Sequence, residues 1–159
     1  MKKGTRGEAR IHVSAPAEKV YDLVSDVTRI PEWSPECVRC EWIGGATGPA
    51  VGAHFKGTNK RSFIRWSTKP RVVAAEPGQE FAFVANAIPV GDTTKWTYRF
   101  EPSPSGGTDV TESFEIVHDV PRYIVLGEKI MGIKDRKADL EANMQQTLER
   151  IKSAAEGSA

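Results

Sequence analysis

At 159 residues the chain has the length of about one domain, enough to bury a core without disulfides or metal. Its 22 basic and 21 acidic residues leave a formal net charge of +1, which gives no support to a phosphate-backbone partner, a class that normally needs a concentrated basic footprint. No apolar run approaches the roughly 18 residues of a membrane span, and MKKGTRGEAR lacks the apolar stretch of a secretory signal, so a cytoplasmic protein is expected.

Residues 8–14 alternate, with Ile11 and Val13 on one face and Arg10 and His12 on the other, as a strand does. Pro16 suits the first position of a following helix, and Glu18 favours the dipole of its first turn. Val20, Leu23, Val24 and Val27 continue at helical spacing as one apolar stripe. Asp26 then caps a second short helix running through Arg29, which Pro31 ends. Six strands are expected after it, at residues 37–43, 53–59, 62–73, 80–85, 94–101 and 109–117. Turn signals at Gly44-Gly45, Pro77-Gly78, Gly91-Asp92 and Gly106-Gly107 separate several of them. The clearest alternation sets Trp96, Tyr98 and Phe100 against Lys95, Thr97, Arg99 and Glu101, the mark of an antiparallel sheet with one solvated side. Pro70 within a strand implies an edge or a bulge.

Cys37 and Cys40 form a C-x-x-C within the first of these strands. Residues three apart on a strand point to opposite faces, so the two thiols are expected to diverge, Cys40 into the core and Cys37 elsewhere. No second Cys/His pair follows to complete a zinc site.

From about residue 121 to 155 the pattern turns helical, with Ile130, Ile133, Leu140, Met144, Leu148 and Ile151 on the inner stripe. Gly127 and Gly132 make its first section irregular. A helix of about 20 residues spans about 30 Å, enough to cross the mouth of a bent sheet. With no linker or internal repeat, residues 1–159 are expected to form a single domain of α+β class. Its bent antiparallel sheet would wrap around the long C-terminal helix, with two short helices after the first strand.

Several phrases strengthen this reading: IHVSAPAEKV at 11–20, Val24-Ser25-Asp26, Trp33-Ser34-Pro35, VGAHF at 51–55, AEPG at 75–78 and GGTDVTESF at 106–114. In these the chain resembles the helix-grip fold of the SRPBCC, START and Bet v 1-like superfamily, and within it the bacterial polyketide cyclase/dehydrase and lipid-transport branch. The resemblance runs over nearly the whole chain and implies an internal cavity. It implies no particular chemistry, because the superfamily includes carriers, cyclases, hydrolases and regulatory modules.

Strand parity selects the cavity candidates. With Trp96 and Tyr98 inward, Phe55, Asn59, Trp66, Phe81, Phe83, Glu112 and Phe114 share their face, and Trp33, Trp42, Tyr123, Met131 and Met144 close the space from helices and loops. Glu112 is the carboxylate that parity sends inward, where it must be hydrogen-bonded or hold its proton, with Asn59 and Tyr98 as neighbours. His12, His54 and His118 are scattered, and His12 and His54 face outward, so neither metal nor cofactor is expected. The basic run from Lys56 to Arg71 falls mostly on a solvated face, so no nucleic-acid partner is expected.

The leading expectation is a non-catalytic binder or transporter of a hydrophobic small molecule: a polyketide, lipid or isoprenoid. The alternative is a polyketide cyclase or dehydratase with Glu112 transferring protons and Tyr98 polarising a carbonyl. The resemblance also implies a third reading, a protein-interaction module such as the toxin of a two-gene pair. Monomer and dimer stay open. Residues 127–132 and 85–90 are the expected entrance.

Overall fold

The computed structural model describes residues 1–87 and 89–157. Ile88, in the expected entrance loop, and Ser158 and Ala159, at the end of the expected domain, lie outside the described residues.

Strand β1 (Arg6–Val13) leads through Pro16 into helix α1 (Ala17–Ser25) and a 3₁₀ turn (Val27–Glu32). Seven strands follow: β2 (Cys37–Ile43), β3 (His54–Arg61), β4 (Ile64–Thr68), β5 (Arg71–Glu76), β6 (Glu80–Ala87), β7 (Gly91–Pro102) and β8 (Thr108–Ile116). Helices α2 (Arg122–Ile130) and α3 (Arg136–Gly157) complete the order. Every pairing is antiparallel, in the sheet order β1-β8-β7-β6-β5-β3-β2, with β4 added on β3. The architecture is the expected α+β helix grip. A curled sheet embraces α3, whose Leu140, Met144, Leu148, Ile151 and Ala155 recur every three or four residues and are all buried.

Four local features differ from the expectation, each for a physical reason. Pro31 lies inside the second short helix instead of ending it, because the segment is 3₁₀ and the fixed φ of proline suits that geometry. Asp26 does cap it, accepting hydrogen bonds from Thr28 N at 3.2 Å and Thr28 Oγ1 at 2.6 Å. The expected strand at 62–73 is two strands, broken at Lys69-Pro70 where proline removes a ladder donor. Here β4 stays on β3, while β5 moves to β6.

The C-terminal helix is likewise two. Gly132, at φ +80°, ends the first in a left-handed conformation that suits glycine, and the Asp135 side chain accepts a hydrogen bond from Ala138 N at 3.1 Å to start the second. With the helix broken there, Ile130 is off the inner stripe and 57% exposed, whereas Ile133 is buried. The fourth difference is in β2. Cys37 pairs with Asn59, Arg39 with Thr58 and Cys40 with Gly57, so Val38 is an extra residue bulged out of the ladder. The bulge restores parity, and both cysteines point inward and are buried. The expected divergence of the thiols is therefore wrong: strand alternation holds only while the ladder is unbroken. Among the described residues no helix is long and apolar enough to cross a membrane.

Candidate functional site

Between the concave face of the sheet and α3 lies an inner cavity of about 210 Å³. Strands β3, β4, β6, β7 and β8 supply Phe55, Asn59, Trp66, Phe83, Trp96, Tyr98 and Glu112 to its wall, all from the parity set, and the 3₁₀ turn supplies Ile30. Trp33 enters just after that turn. A second, outer space of about 760 Å³ adjoins it, and Trp66, Thr68, Ala85 and Arg136 line both. Tyr123 and Met131 border this vestibule with Gly127 on one side, and Ala85, Asn86 and Ala87 border it on the other.

Four expected residues lie elsewhere. Phe81 packs with Tyr21 and Phe83, Phe114 stacks at a tilt on Trp96, and Met144 is buried in the core. Trp42 packs edge-on to Phe55 and faces a separate surface groove beside Tyr21, Pro49 and Pro77. A larger depression of about 980 Å³ crosses the other face of β1, β7 and β8, among Arg6, Arg10, Lys95, Arg99 and Glu115. Its charged lining makes it a solvated surface.

The chemistry of the inner cavity centres on Glu112. Tyr98 and Glu112 stand directly opposite on β7 and β8, and both side chains reach the same wall. Tyr98 Oη donates to Glu112 Oε1 at 2.8 Å. Oε2 is buried and has no hydrogen-bond partner among the described residues. Burial pushes the carboxyl up to about 8, against the opposing pull of the Tyr98 hydrogen bond. At neutral pH Glu112 is therefore a neutral acid. With Oε1 occupied as an acceptor, Oε2 is the oxygen left to carry the proton, on a residue that lines the cavity. Burial and then the adjacent carboxyl hold the Tyr98 phenol well above its ordinary value, so it too stays protonated.

Sequence reasoning missed the rim. Arg61 on β3 forms a paired hydrogen bond with Asp139, through Nη1–Oδ2 at 2.8 Å and Nη2–Oδ1 at 2.7 Å. Arg136, at the start of α3, donates to Glu36 Oε1 at 2.8 Å and also binds Asp139, while Glu128 Oε1 lies 3.7 Å away. These groups tie both helices to the sheet edge where chamber and vestibule meet. Arg61, read as one of a solvated basic run, is thus half-buried in an ion network. The pairing joins residues 78 apart and no local periodicity signals it. Cys37 and Cys40 also line the chamber, for the reason the bulge supplies. Among the described residues no three His, Cys, Asp or Glu side chains are arranged so that they could hold a metal ion.

Residues 5–156 match the model of the family described as polyketide cyclase / dehydrase and lipid transport, and the chain belongs to that family. A solved polyketide cyclase-like protein of Corynebacterium glutamicum is 36% identical, with 98% of this chain and 94% of that chain covered and a TM-score of 0.63. The di-domain ARO/CYC StfQ from the steffimycin biosynthetic pathway is 18% identical. It covers 96% of this chain, while this chain spans 50% of StfQ, at a TM-score of 0.74. Ginseng major latex-like protein 151 from Panax ginseng is 12% identical over 95% of this chain and 97% of its own, at a TM-score of 0.68. The last two show the fold alone. No curated protein sequence matches the chain.

Proposed function

We propose that this member of the polyketide cyclase / dehydrase and lipid transport family holds an apolar small molecule of the polyketide, lipid or isoprenoid class in the aromatic chamber. A carbonyl or other acceptor on that molecule takes the hydrogen bond of Glu112. The observation that carries this reading is the bare Oε2. Leaving a buried polar group without a partner costs about 1–3 kcal/mol, and a ligand acceptor recovers that cost. The aromatic rings of Phe55, Phe83 and Trp96 supply apolar contact around it.

Size sets how the ligand lies. At about 210 Å³ the chamber is smaller than the roughly 300–1,000 Å³ of ordinary ligand pockets. The molecule's polar end therefore occupies the chamber and its remainder extends past Trp66 and Ala85 into the vestibule. The segments at 85–87 and 127–131 border that path and form the entrance.

The test is native mass spectrometry of freshly purified protein, followed by solvent extraction. A stoichiometric apolar adduct is expected in the wild type and not in Gly57→Leu. Gly57 lies on the chamber wall, where an added Cβ meets only Thr68 Oγ1, at 3.6 Å, so a larger side chain fills the space. A clean mass, together with no uptake of anilinonaphthalene sulfonate by the wild type, would sink the proposal.

A second reading is favoured by one observation, the burial of Glu112, which pushes its carboxyl up to about 8, close to the working pH of a general acid. In that reading Glu112 gives its proton to a substrate carbonyl oxygen and Tyr98 stabilises the carboxylate left behind. Glu112→Gln separates the two. The amide still donates a hydrogen bond but has no proton to give, so binding survives in both cases and turnover of a polyketide-type substrate is lost in the second.

A further inference from the structure

The bulge at Val38 has placed two thiols side by side in the chamber wall. Cys37 and Cys40 pair with Asn59 and Gly57, which are themselves neighbours on one face of β3. Two same-face strand residues stand about 6.7 Å apart along the chain. A disulfide accepts Cα separations of about 4.4–6.8 Å, so this pair is within reach of a bond at its extended limit. The two thiols are near enough to shift each other's ionisation in opposite directions. Cys37 Sγ also lies 3.3 Å from the Arg39 carbonyl oxygen, and the Cys37 backbone N–H is fixed by Ser34 Oγ at 3.1 Å. Opposite Cys40 stands Gly57, with no side chain to cover the sulfur. Both cysteines are more than nine-tenths buried from outside yet open to the chamber.

We infer that Cys37 and Cys40 are a redox-active dithiol, oxidised to an intramolecular disulfide by a hydroperoxide that enters the chamber. The two sulfurs have different roles. The Cys40 hydrogen bond, against the opposing effect of burial, holds the Cys37 thiol below its ordinary value. Cys40 is pushed up by that same bond and by burial. Cys37 therefore attacks first. Its thiolate sulfur takes the terminal oxygen of the hydroperoxide, an S–O bond forms and the O–O bond breaks. The alcohol, or water from hydrogen peroxide, leaves with the proton. Cys40 Sγ then attacks the Cys37 sulfenic acid, the S–S bond forms and the S–O bond breaks, and the oxygen departs as water with the Cys40 proton. Two electrons pass from the thiols to the peroxide. The inference does not depend on what the chamber binds.

The experiment is intact-mass analysis of the reduced full chain before and after hydrogen peroxide, with peptide mapping. The expected result is loss of two hydrogens, a Cys37–Cys40 linked peptide, and return of both hydrogens with dithiothreitol. Dimedone, which labels sulfenic acids, is expected to mark Cys37 in Cys40→Ser and not Cys40 in Cys37→Ser. If a serine variant fails to fold, the wild-type map alone decides. Oxygen additions without hydrogen loss, a linked dimer, or two thiols that still alkylate fully after unfolding would each overturn the inference. Equal dimedone labelling in the two variants would overturn the assignment of Cys37 as the attacking sulfur.

Discussion

Replacing Glu112 with Gln removes an ionisation and keeps the shape, so it isolates what the buried proton does for stability. Between about pH 4.5 and 8 the folded protein holds a proton on Glu112 that the unfolded chain has released. The native state binds more protons in that window, so the contribution of this group is full below pH 4.5 and is lost as pH rises through about 8. The gap between 4.5 and about 8 is some three and a half powers of ten in proton affinity. At about 1.4 kcal/mol each, this amounts to up to ~5 kcal/mol. For a chain of this length that is about 10–20 °C in melting temperature. Thermal melts of wild type and Glu112→Gln from pH 5 to pH 9 measure it. The wild type is expected to lose stability relative to the variant as pH rises and to level off above about pH 9. Other groups titrating in the range are common to both proteins and cancel in the difference. A difference that stays flat across the range would refute a neutral, buried Glu112, and with it the donor assigned to Oε2.

Three further perturbations test the packing around the site. Arg136→Ala leaves Glu36, Glu128 and Asp139 with only Arg61 among the network's cations. A loss of about 3–5 kcal/mol in denaturant unfolding is expected, partly regained at pH 5 where carboxylates accept protons, with Arg136→Met less harmful. Phe83→Ala removes a ring that touches Phe55 and Phe81 and faces the chamber. A cost near 3 kcal/mol, the low end for buried aromatics, is expected with weaker ligand retention, and full unfolding at room temperature would mark the residue as core alone. Gly107→Ala combines φ +73° with a Cβ pressed on the Val13 carbonyl. It is expected to lower stability by more than Gly106→Ala, whose φ of +89° carries the same conformational cost, about 1–3 kcal/mol, in open space.

How far the site can be read from sequence follows from where the ladder is regular. From β6 through β8 the pairing runs unbroken from Glu80–Arg99 to Ala85–Thr94 and along all of β8. Counting by twos from Trp96 therefore reached Phe83, Tyr98 and Glu112 and placed the last two together. The same count failed where one residue was inserted or one donor was missing. Val38 carries a side chain that any strand accepts and nothing in its identity announces a bulge, so Cys37 was sent to the wrong face. Pro70 did announce an irregularity, but whether it bends a strand or splits it depends on which neighbours β4 and β5 find. The ion network at the rim was out of reach for another reason: Glu36, Arg61 and Asp139 are distant in sequence and each alone resembles an ordinary surface charge.

The bulge and the buried acid also constrain each other. Glu112 stays neutral while it is buried, and the thiols of Cys37 and Cys40 are weakly polar groups that share its chamber without solvating its charge. A thiolate formed at Cys37 is a like charge in the same low-dielectric chamber and favours the protonated form of Glu112 still more. Conversely, an ionised Glu112 would oppose the thiolate and slow its attack on peroxide. Any coupling between sulfur and carboxyl across the shared chamber has one sign: each group is easier to ionise while the other is neutral. Oxidation to the disulfide removes the ionisable sulfurs from a wall that the paired charges of Glu36 and Arg136 also border.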